Sequence, residues 1–431
     1  MKDLRKMFGG GTSLGRQFGM IFTLIGILLY FQWRTHGLAL SSGNVINIVQ
    51  QQSYILVLAV GMVLVIIAGN IDLSVGSVAA FAGIAVALLM KDHHLAWPLA
   101  VLVGLLIGVL VGAWQGFWVA YVGVPAFIVT LAGMIIFRGA NQYIGNSTST
   151  VVPASFQKYV GSGYLGAVGP DTGYNNLTLL MGAVLFVAVA IREIRLRRVQ
   201  AALKSEMAPL WVSVTKLVML GAIIAYATVL FANGRPGTSF PIAGLILAFL
   251  VVVYSYIARN TIIGRNVYAV GGNINAARLS GVNTKRTNFL VMMNMSMLAA
   301  LAGMIFVARS GASGPADGTG WELDAIAAVF IGGAAISGGV GTVVGSIVGG
   351  LIMAVLNNGM SLLGVKSDRV QIIRGLVLLL AVALDVYNKN QGRPSLIGLM
   401  QSKFRQQVAP EATSAQVGRA EELTADSERT G

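Results

Sequence analysis

From Ile46 to Ala68 the chain runs without one charged side chain, and runs of this kind recur along most of its length. An α-helix rises about 1.5 Å per residue, so roughly 20 apolar residues cross the roughly 30 Å hydrocarbon core of a bilayer. In that medium an unpaired backbone N–H or C=O costs several kcal/mol, and a helix satisfies these groups within itself. Strands of an outer-membrane barrel would instead alternate over about ten residues. Composition agrees with helices: the chain is 55% hydrophobic and 11% charged, with a mean hydropathy of +0.75. Soluble domains carry about 25% charged residues. The expected fold is therefore an all-α, polytopic membrane helix bundle. No cysteine occurs, so thiol chemistry and disulfides are excluded.

Runs of suitable length place about twelve transmembrane helices in residues 1–388. The first covers Phe18 to Trp33, with Tyr30, Phe31 and Trp33 as an interfacial anchor, and the last covers Val370 to Tyr387. Basic residues fix the sidedness. Clusters at Lys2 to Arg16, Arg192 to Lys204, Arg259 to Arg286 and Lys389 to Arg405 fall on one side only if the count is even. Both termini are then cytoplasmic. Residues 389–431 form a polar tail, and its last part, from Pro410, is expected to be disordered because it lacks apolar periodicity.

Several polar features interrupt the apolar pattern. After Ala68 comes Gly69-Asn70-Ile71-Asp72-Leu73-Ser74, a break between two helices. Asp72 there either caps the next helix or faces a solute pathway. Gly104, Gly108, Gly112 and Gly116 make one helix face flat enough for close backbone contact. Arg138 either snorkels to the interface or lines the outer mouth of a pore. The adjacent His93 and His94 lack the spacing and partners of a metal site. Asn141 to Asn176 reads as a long outside loop that a soluble partner can meet.

The sequence contains no G-x-x-x-x-G-K-[ST] loop, so no phosphate-cradling nucleotide site is expected in this chain. Asp72, Glu322, Asp324 and Asp385 are scattered in depth and do not make an acid/base pair. The middles of the helices hold almost no acidic residues of the kind ion-coupled carriers use. Energy coupling is therefore expected from outside the chain. Residues 259–288 are the polar stretch suited to receive it. Gly271, Gly272 and Asn273 make a break with capping potential, and a short helix follows to Ser280, closed by Gly281. Ala276, Ala277 and Ser280 are small enough to admit a partner. A solvated connector, or a basic helix lying on anionic lipid, is the competing reading.

Four stretches carry a resemblance to a known family: Ala68–Gly76 (AGNIDLSVG); Pro125–Leu131 (PAFIVTL) with Arg138-Gly139; Gly264–Asn273 (GRNVYAVGGN) through Ala276-Ala277 and Ser280-Gly281; and Ile336–Thr342 (ISGGVGT). The chain resembles the permease subunits of bacterial sugar ABC importers of the ribose/xylose/arabinose/galactose group, most closely the xylose or multiple-sugar permeases. The resemblance implies a homodimeric pore in the inner membrane. A cytoplasmic ATP-binding subunit would dock on the coupling loop, and a periplasmic sugar-binding protein would deliver a monosaccharide. No cofactor is implied in this chain, since ATP-Mg belongs to the partner subunit. No nucleic acid is implied either. On this basis the coupling residues are Arg265, Asn266, Tyr268, Gly271, Gly272, Asn273, Ala276, Ala277, Ser280 and Gly281. Candidate pathway residues are Asn70, Asp72, Ser74, Thr130, Arg138, Asn141, Ser337, Asn357 and Asn358. The same groups could equally cap helices or bond between them. Relative to smaller members of the group, a helix pair at about 177–231 appears inserted. The runner-up reading is an autonomous carrier or facilitator for small polyols.

Overall fold

The computed structural model describes residues 12–203, 209–234 and 237–390. The expected disordered tail and the basic cluster ahead of Thr12 lie outside the described residues. Fourteen helices are used below, together with two short strands. They are α1 Thr12–Arg34, α2 Ser42–Ile67, α3 Val75–Asp92, α4 Trp97–Phe117, α5 Ala126–Ile144, β1 Thr150–Val151, α6 Asn176–Ala202, α7 Leu210–Ala232, α8 Ile242–Asn260, α9 Ile262–Gly272, α10 Ile274–Leu279, α11 Thr284–Ser310, β2 Ala312–Ser313, α12 Trp321–Ile331, α13 Val343–Leu362 and α14 Ser367–Asn390. One compact body ends at Leu379; a second segment starts at Leu380, and its described part is the continuation of α14 to Asn390.

The bundle is organised around α2 and α11. From Ile55 to Ile67 every residue of α2 is buried, and α11 buries Met292, Met295, Leu298, Ala299 and Met304 completely or nearly so. Small residues set the approach of the helices. Gly61 of α2 faces Met295 and Leu298, and the four-residue glycine stripe of α4 lies along α11 opposite Met304, Ala300, Met293 and Phe289. A Cβ added at Gly112 would stand 2.6 Å from the Met293 Cα, so the two backbones are already at contact distance. This is the close packing that a small-residue face permits between membrane helices, where lipid offers no hydrophobic drive for association.

Nine helices among the described residues are long and apolar enough to cross a bilayer, and Gly19–Arg34 is a shorter apolar run. The expected span from Glu322 to Ile336 takes a different form. Helix α12 stops at Ile331, and its 11 residues cover roughly half the bilayer thickness at about 1.5 Å each. The missing length comes from the preceding loop, which descends between helices. The Asn141 amide of α5 donates to the Pro315 carbonyl at 3.3 Å. Gly318 then lies against Gly76 and Ala80, in the first turns of α3. Extended backbone is tolerated at such depth only where protein surrounds it.

The loop from Asn141 to Asn175 is not free. Strand β1 pairs antiparallel with β2, with Thr150 opposite Ser313 and Val151 opposite Ala312. Trp97 stacks on Tyr159 with ring centroids 5.5 Å apart, and the Gly163 carbonyl accepts from the Ile242 N–H. Helices α6 and α7 pack mainly on each other. Their outer ends meet, because the Asn175 N–H donates to the Ala232 carbonyl at 3.0 Å.

Candidate functional site

At the basic end of the bundle three glycine-containing stretches, far apart in sequence, form one junction. The last carbonyl of α2, on Ile67, would be an orphan of the helix terminus. It accepts instead from the Gly339 N–H at 2.8 Å. Gly271 fits between these two groups, and a Cβ there would run directly into the Ile67 carbonyl. Gly338 and Gly339 both adopt positive φ, +77° and +71°, a region in which a side chain is strained. The Tyr268 phenol then donates to the Gly341 carbonyl at 2.7 Å. Burial holds that phenol above its ordinary pKa, against the pull of Arg259, so it remains a donor.

Helices α9 and α10 stand on this junction. Thr261 caps α9 by accepting from the Gly264 N–H at 3.2 Å. Asn273 caps α10, its Oδ1 accepting from the N–H groups of Asn275 and Ala276 at 3.0 Å each. Gly281, at φ +84°, turns the chain out of α10. The expected break, capped helix and glycine stop are therefore present. One expectation needs correction: Ala277 is buried against the chain itself, so only Ala276, Ser280 and Gly281 offer small exposed positions. The apolar surface that protrudes is Leu279, 87% exposed, with Ile274 beside it. Arg265, Arg278 and Arg286 surround it, all exposed. An apolar knob with a basic rim is a docking surface of modest size and positive potential.

Above the junction lies a layer of buried polar groups. Asp72 is fully buried and accepts through Oδ1 from the Ser74 N–H at 2.8 Å and the Ser74 hydroxyl at 2.7 Å. Asp72 therefore folds the turn before α3 and does not bond to the first N–H groups of that helix. Gln115 of α4 donates to the Ser74 hydroxyl at 2.8 Å and accepts from Ser296 of α11 at 3.4 Å. Thr130 of α5 donates to the Ile71 carbonyl at 3.3 Å. The break between α2 and α3 is thus tied to α4, α5 and α11. It is also tied downward, since the Asn70 amide donates to Asn288 at 3.2 Å.

The structure brings together only some of the candidate pathway residues. Asp72, Ser74 and Thr130 share the buried layer, with Asn70 just below it. Arg138 and Asn141 lie further along α5, where Asn141 holds the descending loop. The Glu322 carboxylate approaches Gly76 from α12. Ser337 is exposed in the junction turn. Asn358 belongs elsewhere: its side-chain amide exchanges two hydrogen bonds with Asn44 of α2, at 2.8 and 2.9 Å. Asn357 neighbours that clamp on α13. Sequence reasoning missed Gln115, Ser296 and Asn288. The available signal for Gln115 was a lone amide in an otherwise apolar helix, four residues or fewer from two stripe glycines.

These features define a class: a polytopic α-helical permease with a capped docking helix seated on its own helix-break motif. The family described as the permease component of branched-chain amino acid transport systems matches residues 44–382. The chain belongs to that family. It is 42% identical to the xylose transport system permease protein XylH of Escherichia coli strain K12 over 387 residues, 89% of this chain and 95% of that protein. It is 38% identical to the XylH of Haemophilus influenzae, covering 86% of this chain and 96% of that protein. The ribose import permease protein RbsC of Escherichia coli strain K12 is 35% identical, covering 81% and 86% respectively. No solved structure matches the chain.

Proposed function

We propose that this chain is the membrane-spanning permease subunit of an ATP-binding-cassette importer for a monosaccharide, xylose or a related pentose or hexose. Two copies would form the pathway in a bacterial inner membrane. A cytoplasmic ATP-binding subunit would dock on α9 and α10, with ATP-Mg held by that partner, and a periplasmic binding protein would deliver the sugar at the opposite end. Relatives named for xylose and ribose transport, aligned over more than four-fifths of the chain, favour a sugar over the amino acids in the family's description. The observation that carries the coupling half of the reading is the Ile67–Gly271–Gly339 junction. It connects the exposed α10 knob directly to the break bearing Asp72, so displacement of α10 is felt at the polar layer.

The test is reconstitution in proteoliposomes with and without the ATP-binding subunit and the binding protein. Sugar uptake is expected only when both are present and ATP is supplied. Uptake by the permease alone would favour the autonomous carrier and overturn the reading. Within the complex, Ala276→Glu and Leu279→Asp place a charge on the exposed face of α10 without touching buried positions. Each is expected to lower sugar-stimulated ATP hydrolysis by about tenfold or more, corresponding to roughly 1.4 kcal/mol of lost docking. Membrane levels of the permease should stay unchanged.

A further inference from the structure

A cavity of about 350 Å³ lies between α12, α13 and the first half of α14, apart from both the junction and the Asp72 layer. Thr319, Asp324, Gln371 and Arg374 line one side, and Leu323 and Met353 line the other. Asp324 and Arg374 form an ion pair across it, and both side chains remain partly accessible. The pair leaves donors and acceptors to spare. A guanidinium carries five N–H groups and a carboxylate accepts at two oxygens, so one contact between them exhausts neither. Gln371 adds an amide with both functions. Thr319 donates its hydroxyl proton to the Ala316 carbonyl and keeps its lone pairs. The lining is thus rich in paired hydrogen-bonding capacity and balanced in formal charge.

Charge balance selects the ligand. An anion would compete with Asp324 for Arg374, and a cation would compete with Arg374 for Asp324. Either exchange leaves one member of the pair without its partner, which is costly in a partly desolvated site. A neutral ligand with several hydroxyls suffers no such penalty, because each hydroxyl both donates and accepts. The apolar wall opposite suits the C–H face of a sugar ring. The volume falls in the range of small-molecule sites, roughly 300–1,000 Å³. Position supports the same choice: the cavity sits at the N-terminal ends of α12 and α14, away from the basic end, on the side from which a delivered solute would arrive. We infer that this cavity is a low-affinity subsite for the neutral monosaccharide on its way into the pathway. The inference rests on the importer reading for the identity of the solute.

Absence of cysteine from the chain makes a direct test possible. Leu323→Cys, and separately Gln371→Cys, place a single thiol in the cavity of the permease assembled with its ATP-binding subunit. Labelling of the permease chain by a small membrane-impermeant thiol reagent is followed with D-xylose, D-ribose or, as a control, L-alanine. Only the free fraction reacts, so a sugar at ten times its dissociation constant is expected to slow labelling about tenfold. L-Alanine should leave the rate unchanged. Equal rates with and without sugar at both positions would overturn the subsite, as would a failure of both thiols to react in the absence of sugar. ATP-driven uptake by the unmodified complex is measured in parallel. Loss of that activity counts against the importer reading, whereas uptake without protection counts against the subsite alone.

Discussion

Helices α2 and α7 have nearly the same mean hydropathy, 1.8 and 2.0, yet 83% of the α2 window is buried in the protein and none of the α7 window is. Hydropathy therefore states that a segment crosses and says nothing of what it crosses beside. In lipid, a leucine gains no transfer energy by exchanging a hydrocarbon tail for a neighbouring helix. What distinguishes α2 is its neighbours' shape. It is enclosed by α8, α11, α12 and α13, admitted close by Gly61 and by Gly350 of α13. Helix α7 contacts chiefly α6, through Gly182 against Thr228 and Gly221 against Phe186, and the pair presents its remaining faces outward. Contact between small residues and backbone builds the working body; contact between small residues and flexible side chains merely pairs the hairpin.

The comparison is broken most sharply by giving both regions the same insult. Gly112→Leu forces a side chain into the Met293 backbone, and Gly221→Leu meets only the ring of Phe186. Overpacking in a tight core costs about 1–3 kcal/mol and often more when backbone is the obstacle. Gly112→Leu is expected to abolish uptake and lower the amount of assembled protein, while Gly221→Leu should retain both. Immunoblots of membranes alongside uptake assays decide this, and equal loss from the two substitutions would defeat the distinction.

A smaller effect is expected from Gln115→Leu, which leaves the Ser74 and Ser296 hydroxyls of the buried layer without their amide partner. An unsatisfied buried polar group costs about 1–3 kcal/mol. The melting temperature of the detergent-solubilised permease should fall, and Gln115→Glu should not rescue it, because a carboxylate cannot replace the amide donor to Ser74. The smallest effect on transport is expected from removing the hairpin. The Asn175 N–H already bonds the Ala232 carbonyl, so replacing residues 176–231 with a short Gly-Ser connection leaves the chain path intact. Uptake should persist at a comparable rate per molecule. Complete loss with normal membrane levels would mean that the hairpin takes part in the transport cycle.

Much of this organisation was readable in advance because it rests on local rules. The glycine stripe of α4 announces a flat face, and α11 lies on it. The caps at Asn273 and the stop at Gly281 follow from side chains one to three residues from the groups they satisfy. The half-length of α12 was not readable, since the residues from Trp321 to Ile336 are apolar enough to suggest a full span. What shortens the helix is the descent of residues 312–320 between α3 and α5, a contact with segments more than 170 residues away. Gln115 was hidden for a similar reason: its partners, Ser74 and Ser296, come from two other helices. Ala277 and Ala276 are indistinguishable as residue types, and only the seat of α10 on the bundle turns one inward and the other out.

By itself the sequence determined that this chain crosses a membrane many times as helices, which end of the bundle is basic, and where its backbone breaks and is capped. Those properties depend on apolar length, charge and nearest neighbours. Only the tertiary structure decided that the breaks at Ile67, Gly271 and Gly339 are one place. A terminal carbonyl on one helix needs an N–H, and the group that supplies it lies more than 270 residues further along the chain.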